Sequence, residues 1–373
     1  MKDNRKIVFI IGNGFDLNLG RKTSYKDFWE SDFCPKDYPA PIVNHLNGKW
    51  PEGGEGVKWY DMENELLHYY DGFGQLKMPK DVIAPKEKTF ARIFNPDNSI
   101  DYYRSSYQAE IDSLSKKNYL EINRLDPCGS KFRYKEDFAL PVEERDKIAI
   151  QRIKEGLCGY LKSISREQKN DGSFAVEVIF ALTQALEQGN TLDIYNFNYT
   201  DLPYPYGGNY NNIVHYVHGR CSESNIIIGT KDYEKFNKQY DFLQKALDPN
   251  FAPPAIVYDL LNADDVVIFG HSLGVNDSQY FKAFFKQQSS PASTQRKKIT
   301  IFTWDNSSEI EIKRALQQMT DYNLSSLASL NDFQILKVSQ LYHNASLVKD
   351  FLSRYISDKR QVAIEIDHIR EQQ

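Results

Sequence analysis

Four segments place residues capable of chemistry immediately after an apolar run. Gly12-Asn13-Gly14-Phe15-Asp16 follows the run 6–11, Lys-Ile-Val-Phe-Ile-Ile. Two glycines at this spacing permit a tight turn and a close approach of backbone to a pyrophosphate. The third glycine of a dinucleotide fingerprint is missing, because position 17 is Leu and the next glycine is Gly20, so the segment also reads as a plain glycine turn. Asn196-Phe-Asn-Tyr-Thr-Asp201 closes a second run. Alternation puts Asn196 and Asn198 on the face opposite Phe197, where an amide can project towards a ligand; the competing reading is that Asn198 and Asp201 only turn or cap the chain.

Val217-His218-Gly219 closes a third run and offers an imidazole next to a glycine. Histidine titrates near neutral pH and can take a proton from a sugar hydroxyl. His215 competes with it, but alternation turns the two to opposite faces. The fourth segment, Phe269-Gly-His-Ser-Leu-Gly-Val-Asn-Asp277, contains Gly270-His271-Ser272-Leu273-Gly274, the G-x-S-x-G pattern of a nucleophile elbow between strand and helix. A serine hydrolase would complete it with Asp305 and His343, which come in the required order. That reading lacks an oxyanion-loop glycine run and leaves the first three segments without a role. Glu65 and His68, one helical turn apart, read as a solvated helix face rather than a metal site, and no metal is expected.

These residues need a scaffold. Apolar runs at 6–11, 192–197, 213–217, 225–229, 265–269 and 298–304 predict strands. The first is apolar throughout, as in a strand buried on both faces of a parallel sheet. Polar helices are predicted at 61–70, 101–117 and 142–168. Helices between the later strands point to an α/β fold with a mostly parallel sheet, in one domain, 1–373, carrying a large helical insertion at about 25–175. In such sheets ligands bind outside the carboxyl ends of the strands, which is where all four segments lie.

Composition removes other classes. With 46 Lys+Arg against 51 Asp+Glu the formal charge is −5, too acidic overall for holding a phosphate backbone, so nucleic acid is not the expected partner. The four cysteines, Cys34, Cys128, Cys158 and Cys221, form no C-x-x-C pair, which argues against a zinc ribbon and for reduced thiols. No run approaches the ~20 apolar residues of a membrane span; a soluble, cytoplasmic protein is expected.

Taken in order, the segment from Ile10 to Gly20 with Thr23-Ser-Tyr-Lys-Asp-Phe28, then Asn196-Phe-Asn-Tyr-Thr200, His218-Gly219 and Phe-Gly-His-Ser-Leu-Gly-x-x-Asp277, resembles the phage abortive-infection AbiH family. The order is also similar to that of sirtuin-like domains, in which a glycine loop, an Asn-containing strand end, a His-Gly pair and a Gly-x-Ser-Leu segment surround NAD. The resemblance implies a Rossmann-like, sirtuin-like sheet with NAD as substrate or ligand. It puts Gly12 and Gly14 at the phosphates, with Asn13, Phe15, Asp16, Tyr199 and Gly270 also lining the nucleotide. Asn198 would stand beside the nicotinamide ribose and steer water, and His218 would act on a ribose hydroxyl. Ser272 would bind the nucleotide, while Asp277 would hold its adenosine side or cap the next helix.

Two departures qualify this picture. The paired-cysteine zinc module of protein deacetylases is missing, which argues against deacylation and leaves NAD hydrolysis or binding alone. Asn13 and Phe15 replace the small residues of the usual sirtuin loop, which implies a narrower pocket or a different nucleotide. The expected function is anti-phage defence through hydrolysis of the nicotinamide-ribose bond, with a non-catalytic nucleotide-binding module and a serine hydrolase as alternatives. A phage-derived trigger and a homo-oligomer are compatible with this reading.

Overall fold

The run Lys6–Ile11 forms β1, and its side chains explain why it lies in the middle of a sheet. Ile7, Phe9 and Ile11 enter one apolar cluster, Val8 and Ile10 another, and all five are fully buried. A strand apolar on both faces needs a layer of helices on each side. The computed structural model describes residues 4–49, 61–75, 140–165, 173–203, 213–231, 238–293, 295–341 and 345–357. Its contacts divide the chain into two compact units, one of residues 1–28, 157–227 and 246–373, the other of 29–156 and 228–245.

The first unit holds the sheet. After β1 come α1 (Asn13–Asn18) and α2 (Tyr25–Glu30), then, in the other unit, α3 (Pro41–Lys49) and α4 (Met62–Gln75). The long α5 (Val142–Ser165) and α6 (Phe174–Glu187) lead to β2 (Thr191–Asn196) and β3 (Val214–Tyr216). The remainder is α7 (Ile256–Asn262), β4 (Asp265–Phe269), α8 (Ser278–Gln288), β5 (Lys298–Thr303), α9 (Asn306–Met319), α10 (Leu324–Leu330), β6 (Asp332–Lys337) and α11 (Ala345–Leu352).

All six strands are parallel, in the order β3-β2-β1-β4-β5-β6. This is the doubly wound Rossmann order, whose direction of travel reverses between β1 and β4. Residues from α6 and α11 cover one face, and residues from α7, α8, α9 and α10 the other. Ile11 is in register with both Asn196 and Phe269, so β1, β2 and β4 end level. Phe197 N–H then donates to Ile11 O at 2.9 Å and Gly12 N–H to Phe269 O at 3.0 Å. The loops after the three strands therefore start side by side.

Among the described residues, the second unit is helical, and Asp146 of α5 ties three of its segments together. Its carboxylate accepts from Ile42 N–H (3.0 Å), Tyr69 O–H (2.5 Å) and Tyr240 O–H (3.3 Å). Burial raises the Asp146 pKa to about 7, against the lowering effect of these hydrogen bonds and of Arg145. Lys245 pairs with Glu63 at 2.8 Å, so 228–245 is bound to the rest of this unit by side chains.

Some expectations need correction. The segment 225–229 is no strand, because its hydrogen bonds go elsewhere: Ile227 N–H donates to His218 O (2.9 Å), and the Asn225 side chain takes the Arg220 N–H (2.8 Å). The edge strand β6 was not anticipated. The predicted helix 101–117 and Cys128 lie outside the described residues. The predicted insertion 25–175 encloses the first segment of the second unit, but the contribution of 228–245 was not foreseen. Among the described residues no helix is long and apolar enough to cross a membrane.

Candidate nucleotide site at the strand ends

Gly12 and Gly14 lie against the loop after β4. A Cβ on Gly12 would fall 2.5 Å from the His271 Cα, and one on Gly14 would fall 2.6 Å from the Gly270 Cα. Gly270, with φ +64°, returns the contact. The N–H of Gly12 donates to Phe269 O, that of Gly14 to Gly270 O and that of Phe15 to Gly12 O, at 3.0, 2.9 and 2.9 Å. These three N–H groups are therefore already bonded within the chain and are not free donors for a pyrophosphate. What the glycines supply is the crossing of two backbones at the switch point between β1 and β4.

The rest of the first motif faces inward. Phe15 is buried and packs edge-on against Phe9 and Phe269. Asp16 is 1 % exposed; one oxygen meets the Arg21 guanidinium at 2.8 Å, and the other accepts the Thr200 hydroxyl. Desolvation pushes its carboxyl pKa up, opposed by Arg21. Asp16 thus joins the loop after β1 to the loop after β2, and Asn13 accepts the Thr23 hydroxyl at 2.6 Å.

The loop after β2 is shaped by its two asparagines. Asn196 Oδ1 accepts the Asn198 N–H at 2.9 Å and its Nδ2 donates to Thr200 O at 3.0 Å, which turns the chain sharply. Asn198 Nδ2 donates to Gly12 O at 3.0 Å, and the same side chain hydrogen-bonds Asp16. The Tyr199 hydroxyl donates to Ile227 O (3.1 Å) and lies 3.2 Å from that of Tyr25, while its ring centroid is 6.4 Å from the His218 ring.

After β3 the backbone turns at Gly219, φ +71°, where a Cβ would lie 2.2 Å from Asn225 O. His218 is 5 % exposed, and its Nε2 is 3.3 Å from Asp277 Oδ1. The other oxygen of Asp277 is 3.5 Å from Nε2 of His271, which is equally buried. The Phe197 ring stands edge-on to both imidazoles, at 5.4 and 4.4 Å. Asp277 occupies the N-cap position of α8, yet its side chain makes no capping bond; its carboxylate lies between the two histidines. His215 is placed elsewhere, stacked on Tyr195 and 3.4 Å from Asp193.

Ser272 is exposed, and the left-handed residue of its turn is Leu273, φ +54°. A nucleophile elbow puts the strained conformation on the serine itself. Asp305 caps α9 by accepting the Ser308 N–H at 2.9 Å. His343 lies outside the described residues. Among the described residues no three His, Cys, Asp or Glu side chains group as metal ligands.

Of the residues singled out from sequence, Gly12, Gly14, Asp16, Asn198, Tyr199, His218, Gly270 and Asp277 are joined by direct contacts or through one intervening residue. His271 was missed; in the sequence it is only a variable position of G-x-S-x-G.

Six parallel strands in this order, with glycine-crossed loops at the switch point, define an α/β protein of Rossmann-like architecture. The chain belongs to the family of bacteriophage abortive infection proteins AbiH, whose family model matches residues 8–299. No curated protein and no solved structure matches it. The match takes in β1 from Val8 onward, β2, β3 and β4, and the site residues from Gly12 to Asp277.

Proposed function

We propose that this abortive infection protein binds NAD at the carboxyl rim of β1, β2, β3 and β4 and hydrolyses the nicotinamide-ribose bond. The observation that carries this reading is the pairing of His218, after β3, with Asp277, after β4, beside the glycine crossing. A buried imidazole held by a carboxylate is suited to taking a proton from a ribose hydroxyl. Asn198 commits its NH2 end to Gly12 and Asp16, which leaves its carbonyl oxygen to hold the attacking water. Breaking the bond builds cationic character on the ribose, and the water adds to that carbon as nicotinamide leaves. Such a step needs oriented dipoles more than a strong nucleophile.

Nucleotide phosphates would lie along the crossing of Gly12, Gly14 and Gly270, with Asn13 and Ser272 as polar neighbours. In defence, the reaction depletes NAD after infection, and the enzyme stays silent until a phage-derived trigger is present. The test is mass spectrometry of NAD incubated with the pure protein, alone and with phage lysate. Nicotinamide and ADP-ribose are expected in equal amounts, and both are lost in His218→Ala and Asn198→Ala. Bound NAD without products would leave a binding module; neither products nor binding would end the proposal.

A further inference from the structure

Two buried imidazoles share one carboxylate, but their backbones treat them differently. His271 Nδ1 accepts the Leu273 N–H at 3.0 Å. A nitrogen that accepts a hydrogen bond carries no proton, so the ring's proton is on Nε2, the atom 3.5 Å from Asp277 Oδ2. Protonating His271 would put a hydrogen on Nδ1 against the Leu273 N–H. The ring's Nε2–H is left on the side of Asp277, 3.5 Å from its Oδ2. Leu273 reaches this position only in the left-handed region, φ +54°, where a bulky side chain is strained and where functional sites commonly hold such strain.

The second oxygen of Asp277 faces His218 Nε2 at 3.3 Å. We infer that His271 and Asp277 are positioning residues for His218: His271, fixed by the Leu273 N–H, aims the carboxylate, and the carboxylate stabilises His218 when it takes a proton. The role of His218 in this arrangement rests on the NAD reading above. Around His218 stand Asp277 from the start of α8, the Tyr199 ring and the Phe197 ring, with His271 reached through Asp277. The division of labour follows that of a buried acid that sets the tautomer and orientation of a working imidazole.

The test has two arms on the full-length protein. In the first, nitrogen-15 NMR of labelled histidines reads the tautomers directly. His271 is expected as the Nε2–H tautomer with bare Nδ1, and Asp277→Asn is expected to shift the resonances of both His218 and His271. A His271 protonated at Nδ1, or His218 resonances indifferent to Asp277→Asn, overturns the inference.

In the second arm, nicotinamide release is compared across variants of known fold. Asp277→Asn is expected to lower kcat by ~100-fold or more with little change in KM, as loss of an orienting acid does. His271→Gln keeps a donor for Asp277 and should retain most activity, whereas His271→Asn keeps only the acceptor for Leu273 and should lose it as His271→Ala does. Rescue by Asn and not by Gln would reduce His271 to a turn-forming residue and overturn the inference. If the wild-type protein releases no nicotinamide, it is the NAD reading that fails; the NMR arm still decides the arrangement.

Discussion

Gly14 and Gly270 meet backbone to backbone: a Cβ on Gly270 would lie 2.4 Å from the Gly14 Cα, and one on Gly14 would lie 2.6 Å from the Gly270 Cα. Neither can carry a side chain unless the β1 and β4 loops move apart. Overpacking of this kind costs about 1–3 kcal/mol, and Gly270→Ala adds about 1–2 kcal/mol for its left-handed backbone. Gly14→Ala and Gly270→Ala are expected to be destabilised in that order in urea unfolding. Gly20 is the control, since its φ is +77° but nothing lies within 4 Å of an added Cβ; Gly20→Ala should show the conformational cost alone. Wild-type stability in Gly14→Ala would mean that the glycine serves the ligand and not the crossing.

Asp16 presents a buried ion pair. Removing the carboxylate leaves the guanidinium of Arg21, a residue 7 % exposed, with the Asp201 carbonyl at 3.0 Å as its partner among the described residues. Breaking one side of a buried pair costs about 3–5 kcal/mol. Asp16→Ala should show that loss in chemical denaturation, and Thr200→Val a smaller loss of about 1–2 kcal/mol for the hydroxyl bond to the same carboxylate. If Asp16→Ala unfolds like the wild type, the residue is not structural and its resemblance-based role at the nucleotide regains priority.

The second unit should respond to pH through Asp146. Its folded pKa of about 7 stands above the ordinary 3.8, so between these values the native state binds more protons than the unfolded one. Stability then falls as pH rises from about 4 to about 7, by on the order of 4 kcal/mol if the whole shift is expressed. Proteolysis of the second unit should accelerate at pH 8 relative to pH 5. Asp146→Asn, which keeps an acceptor for Tyr69 and Tyr240, should flatten that difference; an unchanged difference assigns the pH dependence to another group.

Particular residues show what the sequence could and could not reveal. The strands β1 and β4 were legible because they are apolar on both faces over most of their length, and β2 and β5 because Leu192 with Ile194 and Ile299 with Ile301 alternate along one face; β4 was delimited to the residue. The edge strand β6 interleaves Asp332, Gln334 and Lys337 with the half-buried Phe333 and Ile335 and the buried Leu336, so its run carries no such signal. The segment 225–229 is equally apolar but belongs to the His218 turn, a matter of hydrogen-bond partners that composition does not encode. The meeting of His218 and His271 on Asp277 depends on strand order and on the level ends of β1 and β4. The spacing of His271 and Asp277 around a tight turn was the one local sign of it.

The exposed Ser272 gives the last prediction, because it separates two chemistries that share one motif. A serine nucleophile requires a base at its hydroxyl. Here His271 commits Nδ1 to the Leu273 N–H and turns Nε2 towards Asp277, while Asp305 serves as the cap of α9. The Ser272 hydroxyl is instead next to Gly274, where a Cβ would lie 3.2 Å from its Oγ, so the second glycine of the motif makes room for the serine side chain. A fluorophosphonate probe is therefore expected to leave the wild-type protein unlabelled. Ser272→Ala should keep the stability of the wild type and release nicotinamide with a raised KM and an unchanged kcat, whereas Gly274→Ala, which crowds the hydroxyl, should shift KM in the same direction. Stoichiometric labelling at Ser272 would instead make this a serine hydrolase, and the histidine pair would need another explanation.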